Sequence, residues 1–118
     1  MSGVRLVINM HVVPGGAAEY AEAWIPQYEL INNVQGCLQY ELFRSTMQPD
    51  HLALLELWQD RATFDAHWLL QKRRETLRPD LLADPRTRTV GRDGTEIYWQ
   101  QQEHRYDAQS DLWQPQDR

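Results

Sequence analysis

The sequence predicts an α+β domain in which a four-stranded antiparallel sheet carries two helices. Three observations point there. Residues 4–13 alternate apolar and mixed positions with a period of two, as a strand does. From Ala17 the period changes to that of a helix. The same strand and helix signals then recur, so that the order along the chain is strand, helix, strand, strand, helix, strand. With 118 residues there is room for one core. Residues 1–104 are assigned to this domain and 105–118 to a C-terminal extension.

Val4, Leu6, Ile8, Met10 and Val12 share one face of the first strand, and Arg5, Val7, Asn9, His11 and Val13 share the other. Apolar groups on both faces predict a central strand covered on both sides. Pro14-Gly15-Gly16 breaks it. Ala17, Tyr20, Trp24, Tyr28 and Ile31 then form one aromatic stripe, which predicts a helix running to about Asn33. Pro26 lies inside, where it removes a backbone bond and crowds the Glu22 carbonyl, so a kink is expected there.

Gly36 ends that helix, and residues 37–45 read as a strand with Leu38, Tyr40 and Leu42 on one side. Met47–Asp50 is a turn, and residues 51–58 form the next strand of a hairpin. Asp60 is a suitable N-cap for a helix from Arg61, with Phe64, His67, Trp68 and either Leu70 or Gln71 inward. A short helical piece near Pro79 holds Leu81 and Leu82, and the polar residues 84–94 end in a turn at Asp93-Gly94. Residues 95–102 make the fourth strand, with Ile97 and Trp99 on one face and Tyr98 on the other.

This order is the split βαβ pattern of a ferredoxin-like fold. Its helices cover one sheet face, so the other face predicts a homodimer closed by sheet-on-sheet contact. Leu112 and Trp113 in the extension are expected to pack on the partner, since an apolar pair in a free tail is a liability.

The formal charge of −5 argues against non-specific nucleic-acid binding. Its distribution is uneven: Lys72, Arg73, Arg74, Arg78, Arg86, Arg88 and Arg92 are seven of the twelve Lys and Arg. They read either as a solvated helix end and loop or as a basic rim that attracts a phenolate or carboxylate. A single cysteine, Cys37, excludes an internal disulfide. With no long apolar run and no signal-peptide pattern, a cytoplasmic protein with no membrane partner is expected.

Four segments carry a family resemblance: Val13-Pro14-Gly15 before the first helix, Gly36-Cys37-Leu38-Gln39-Tyr40-Glu41-Leu42 entering the second strand, Glu56-Leu57-Trp58 ending the third, and Phe64-Asp65-Ala66-His67 in the second helix. In this order and spacing the chain resembles the antibiotic biosynthesis monooxygenase family, over roughly residues 4–104. The resemblance implies a dimeric α+β barrel that oxidises a phenol-, quinol- or anthrone-like metabolite with molecular oxygen, using no metal or flavin. The substrate supplies the electrons, and the protein a dry pocket, a proton acceptor and hydrogen bonds for the anion. It also implies His67 as proton acceptor, although many members carry a second histidine where this chain has Trp68-Leu69-Leu70-Gln71-Lys72.

Asn9, a polar residue in an apolar strand, needs a partner for its amide: a substrate oxygen, a side chain or a second subunit. His67 and Asn9 are therefore the candidate catalytic pair. Trp24, Tyr28, Tyr40, Trp58, Trp68 and His11 are candidates for substrate contact, each with core packing as its plain alternative. Glu56 is a candidate buried acid, with Arg44 across the hairpin as one partner. The four histidines lack metal-ligand spacing, and Pro14-Gly15-Gly16 lacks the later glycine of a dinucleotide loop, so no cofactor is expected. Two other readings remain open: haem binding, for which residues 70–92 offer no axial histidine, and a dimeric small-molecule-binding module without chemistry.

Overall fold

The computed structural model describes residues 3–83 and 94–116. They form β1 (Gly3–His11), α1 (Ala17–Ile31), β2 (Cys37–Arg44), β3 (His51–Trp58), α2 (Arg61–Gln71), a 3₁₀ turn at Pro79–Leu81 and β4 (Thr95–Gln101). The sheet order is β2-β3-β1-β4 with every pair antiparallel. This is the ferredoxin-like arrangement expected from the sequence. No helix among the described residues is long and apolar enough to cross a membrane.

Strand alternation decides which side chains meet the helices. Val4, Leu6, Ile8 and Met10 of β1 are buried, and their cross-strand neighbours Trp58, Glu56, Leu54 and Leu52 are buried with them. Tyr40 and Leu42 of β2 oppose Glu56 and Leu54 on the same face. Onto this face α1 lays Ala17, Tyr20, Trp24 and Ile31, whereas the remaining stripe residue, Tyr28, is largely exposed. α1 passes through Pro26 as one helix and ends two residues before Asn33. There Asn32 takes over: its side-chain amide donates to the Tyr28 and Tyr40 carbonyls at 3.0 and 2.8 Å, tying the helix end to β2.

α2 begins as expected, with the Thr63 N–H donating to Asp60 Oδ1 at 2.9 Å. That bond holds the Asp60 carboxyl below its ordinary range. Phe64, His67 and Gln71 are buried on its inner face, Trp68 is half-buried and Leu70 points to solvent. β1 stops at His11, two residues short of the expected end, because Val12 pairs instead with Leu82 and the Val13 N–H donates to the carbonyl of Leu81, at the end of the 3₁₀ turn.

The opposite sheet face carries Val7, Asn9, Ala53, Leu55, Phe43 and Tyr98, none of them fully buried within one chain. The C-terminal extension is not formless: β5 (His104–Asp107) and β6 (Leu112–Pro115) make a separate hairpin, with Tyr106 packed edge-on against Trp113 at 5.7 Å. Tyr106, Leu112 and Trp113 stay more than half exposed within the chain.

Gly36 sets the approach of α2 to the sheet. It has φ +88°, and a Cβ there would lie 2.5 Å from Thr63 Cγ2. Gly36→Ala should therefore lower stability by on the order of 1–3 kcal/mol, read as a fall in the thermal midpoint by circular dichroism. Gly15→Ala, at φ +79° with nothing within 4 Å of the added methyl, should cost less.

Candidate functional site

Where β2, β3 and α2 meet, the core turns polar. Glu56 is 0% exposed, and its Oε1 accepts from Trp58 Nε1 at 3.0 Å. The two residues are neighbours on one strand face because they are two apart. His67 descends from α2 between them: Nε2 lies 3.3 Å from the same Oε1, and the ring stacks on Trp58 with centroids 4.4 Å apart. Gln71, one helical turn on, offers Oε1 to the same nitrogen in a short contact. Facing two oxygen acceptors, Nε2 carries the ring hydrogen, and Nδ1 is the nitrogen able to take a proton.

Tyr40 closes the cluster from β2, its ring edge-on to His67 with centroids 6.2 Å apart. Burial pushes its phenol well above the ordinary value, and the Glu56 carboxylate adds to the rise. The Arg74 guanidinium beside it pulls the other way. Four buried atoms of the group lack a partner in full hydrogen-bonding geometry among the described residues, Tyr40 Oη, Gln71 Nε2, Arg74 Nη2 and Glu56 Oε2, although the guanidinium stands close enough to the Tyr40 phenol to hydrogen-bond it. Each such atom costs on the order of 1–3 kcal/mol if nothing meets it. Trp24 Nε1 differs, for it leans on the Tyr20 hydroxyl, which itself donates to Met10 Sδ at 3.1 Å.

Two cavities flank the cluster. A groove of about 310 Å³ runs between α1 and α2 and is walled by Gln27, Leu30, Ile31, His67, Gln71 and Arg74, among others. A second, of about 270 Å³, lies between α1 and β2 against Trp24, Tyr28, Tyr40, Leu42 and Leu54. The structure thus brings His67, Tyr40 and Trp58 into one cluster, and sets Trp24 and Tyr28 beside it across Tyr40. Trp68 instead stacks on Phe64, 6.1 Å between centroids.

Asn9 and His11 are not part of this cluster. They lie at odd positions of β1 and so on the other side of the sheet. There the Asn9 amide donates to the Gly94 carbonyl at 3.2 Å and to Glu96 Oε2 at 3.0 Å, and its Oδ1 lies 3.3 Å from His51 Nε2. His11 stacks on His51 at 4.6 Å. Arg44 is not the partner of Glu56 either. It pairs with Leu52, four residues along β3, and its Nε donates to the Pro49 carbonyl at 2.9 Å. Of the basic run, Arg78 is held by Glu19 and Asp80, Arg74 faces the groove, and Arg86, Arg88 and Arg92 lie outside the described residues. The roles of Gln71 and Arg74 escaped sequence reasoning, although their spacing of four and seven residues from His67 is the signal of a shared helix face.

The family model described as antibiotic biosynthesis monooxygenase matches residues 3–69. Among solved structures, a conserved protein from Methanosarcina mazei Go1 is 23% identical, with a TM-score of 0.60 over 84% of this chain and 91% of that one. PA3566 from Pseudomonas aeruginosa is 19% identical, with a TM-score of 0.58 over 84% and 92%. A candidate antibiotic biosynthesis monooxygenase from Nitrosomonas europaea is 17% identical, with a TM-score of 0.57 over 83% and 86%. These likenesses are likenesses of fold. No curated protein matches the chain.

Cys37, at the edge of the cluster, has its thiol pushed up to about 11 by burial and then by the Glu56 carboxylate. A raised thiol pKa keeps the sulfur protonated at neutral pH and exposes the thiolate only as pH climbs towards that value. Alkylation at about pH 8 should therefore be more than about tenfold slower in the folded chain than in the denatured one. Equal rates would show that the thiol does not feel this environment.

Proposed function

The chain belongs to the antibiotic biosynthesis monooxygenase family, and from that premise we propose that it is a cofactor-independent monooxygenase of a small electron-rich aromatic, a phenol, quinol or anthrone-like metabolite. One observation carries the reading: a buried imidazole, backed by a carboxylate, stands at the wall of a largely apolar groove. Such a pair suits removal of a proton from a weakly acidic substrate, because Glu56 stabilises the imidazolium that results.

On this reading the substrate proton passes to His67 Nδ1, while Nε2–H stays directed at Glu56 and Gln71. The substrate anion passes one electron to oxygen, and the resulting radical and superoxide combine to form a carbon–oxygen bond. For an anthrone-like CH₂ group the peroxide then loses water to give a carbonyl. The four electrons lost by carbon reduce both oxygen atoms, one kept in the product and one released as water. The apolar walls keep the anion from reprotonation by solvent.

The uncovered sheet face is assigned in the same proposal to a second copy of the chain, giving the homodimer. Asn9 and His11 then serve that contact and not the chemistry. Oxygen uptake by metal-stripped protein with a panel of anthrones and dihydroxyaromatics tests the scheme. His67→Ala should lose about a hundredfold or more in rate, and Asn9→Ala should stay within about threefold while weakening the dimer in sedimentation. Uptake that is indifferent to His67, or a full loss in Asn9→Ala with the dimer intact, would overturn the assignment of the site.

A further inference from the structure

The buried polar atoms left over around His67 are unequal in kind. Gln71 Nε2 and Arg74 Nη2 can only donate, Tyr40 Oη can accept from Arg74 and still donate its own hydrogen, and only Glu56 Oε2 is purely an acceptor. Tyr40 and Gln71 are almost wholly buried, at 0% and 1% exposure, so solvent does not meet these groups. Nor is Arg74 neutralised: no carboxylate among the described residues lies within ion-pair distance of it. One arm of its guanidinium, Nη1, donates to Gln27 Oε1 at 2.5 Å across the groove, which fixes the head and turns Nη2 inward. Its backbone is held as well, with the Arg74 N–H donating to the Gln71 carbonyl at 3.1 Å. His67, Gln71 and Arg74 follow at intervals of four and three, and all three wall the same groove. Tyr40 stands behind them, close enough for the guanidinium to act on its phenol.

We propose that Arg74, Gln71 and Tyr40 form an oxyanion-binding subsite at the inner side of the α1–α2 groove, so that the preferred substrate is an aromatic carrying a carboxylate or carbonyl oxygen beside its ionisable hydroxyl. This deepens the functional reading given above and rests on it for the role of the hydroxyl. A planar guanidinium suits such an oxygen because its donors lie in one plane and its charge persists at any working pH. Unmet donors in a site of this kind reject a ligand that lacks the matching acceptor. The charge also serves the reaction, since the anion left after His67 takes the proton stays beside a cation. An ordered water is the plain alternative occupant, and it makes no such demand on the ligand.

The test compares anaerobic binding of 1-hydroxy-2-naphthoate and 1-naphthol to the full chain by calorimetry, which needs no turnover. The naphthoate should bind at least about tenfold more tightly. Arg74→Met should bring the two within about twofold by weakening the naphthoate alone, and Arg74→Lys should keep part of the preference. Equal affinities in the unaltered chain, failure of both probes to bind, or a preference that survives Arg74→Met would each overturn the subsite. The first two outcomes need no variant to fold, and a thermal midpoint for each variant checks the third. Oxygen uptake is scored separately: a clear preference with no uptake of oxygen by any hydroxyaromatic would keep the subsite and sink the monooxygenase reading.

Discussion

The structure around the site depends on a single constraint: Glu56 brings a carboxylate to a place that water does not reach. A buried carboxylate must be met by donors or must give up its charge. Trp58 from the same strand and His67 from α2 meet it, both on Oε1. That demand fixes the height at which α2 docks, because the imidazole must descend between Trp58 and Tyr40. Gly36 allows the docking by presenting no side chain to Thr63 in the first turn of α2. Gln71 completes the arrangement by fixing which ring nitrogen keeps its hydrogen. The groove between the helices is then what remains after these contacts are made.

Much of the fold was legible because its signals are local. The β3 limits, the Asp60 cap and the change of period at Ala17 each follow from neighbours in sequence. The partition of β1 into a helix-facing and an open side was legible too. What could not be read from spacing was which even-numbered residue of β2 and β3 lies under His67. Tyr40 meets Glu56 through a register that includes a shift between Cys37 and Gln39, and a shift of that kind leaves no mark in composition. For the same reason Arg44 looked like a partner for Glu56 although the register carries it four residues away. Asn9 and His67 were joined as a pair on their chemistry, and strand parity separates them.

The C-terminal extension was harder still. Its strands are four residues each, too short for a clear alternation, and the turn between them has Asp111 at φ +59°, a conformation not announced by glycine. The hairpin adds nothing to the main sheet and keeps its aromatic pair at its own surface. The domain's core is therefore complete without it. Whatever the hairpin contributes, it contributes through what it touches outside the chain's own core.

The stack of His67 on Trp58 has an optical consequence. An imidazolium in van der Waals contact with an indole quenches its emission by accepting charge from the excited ring, whereas a neutral imidazole does so weakly. With centroids 4.4 Å apart and Trp58 shielded from solvent, that one tryptophan is placed to report on the ring beside it. The protein therefore carries, in its own core, a fluorophore in contact with the imidazole of the proposed site.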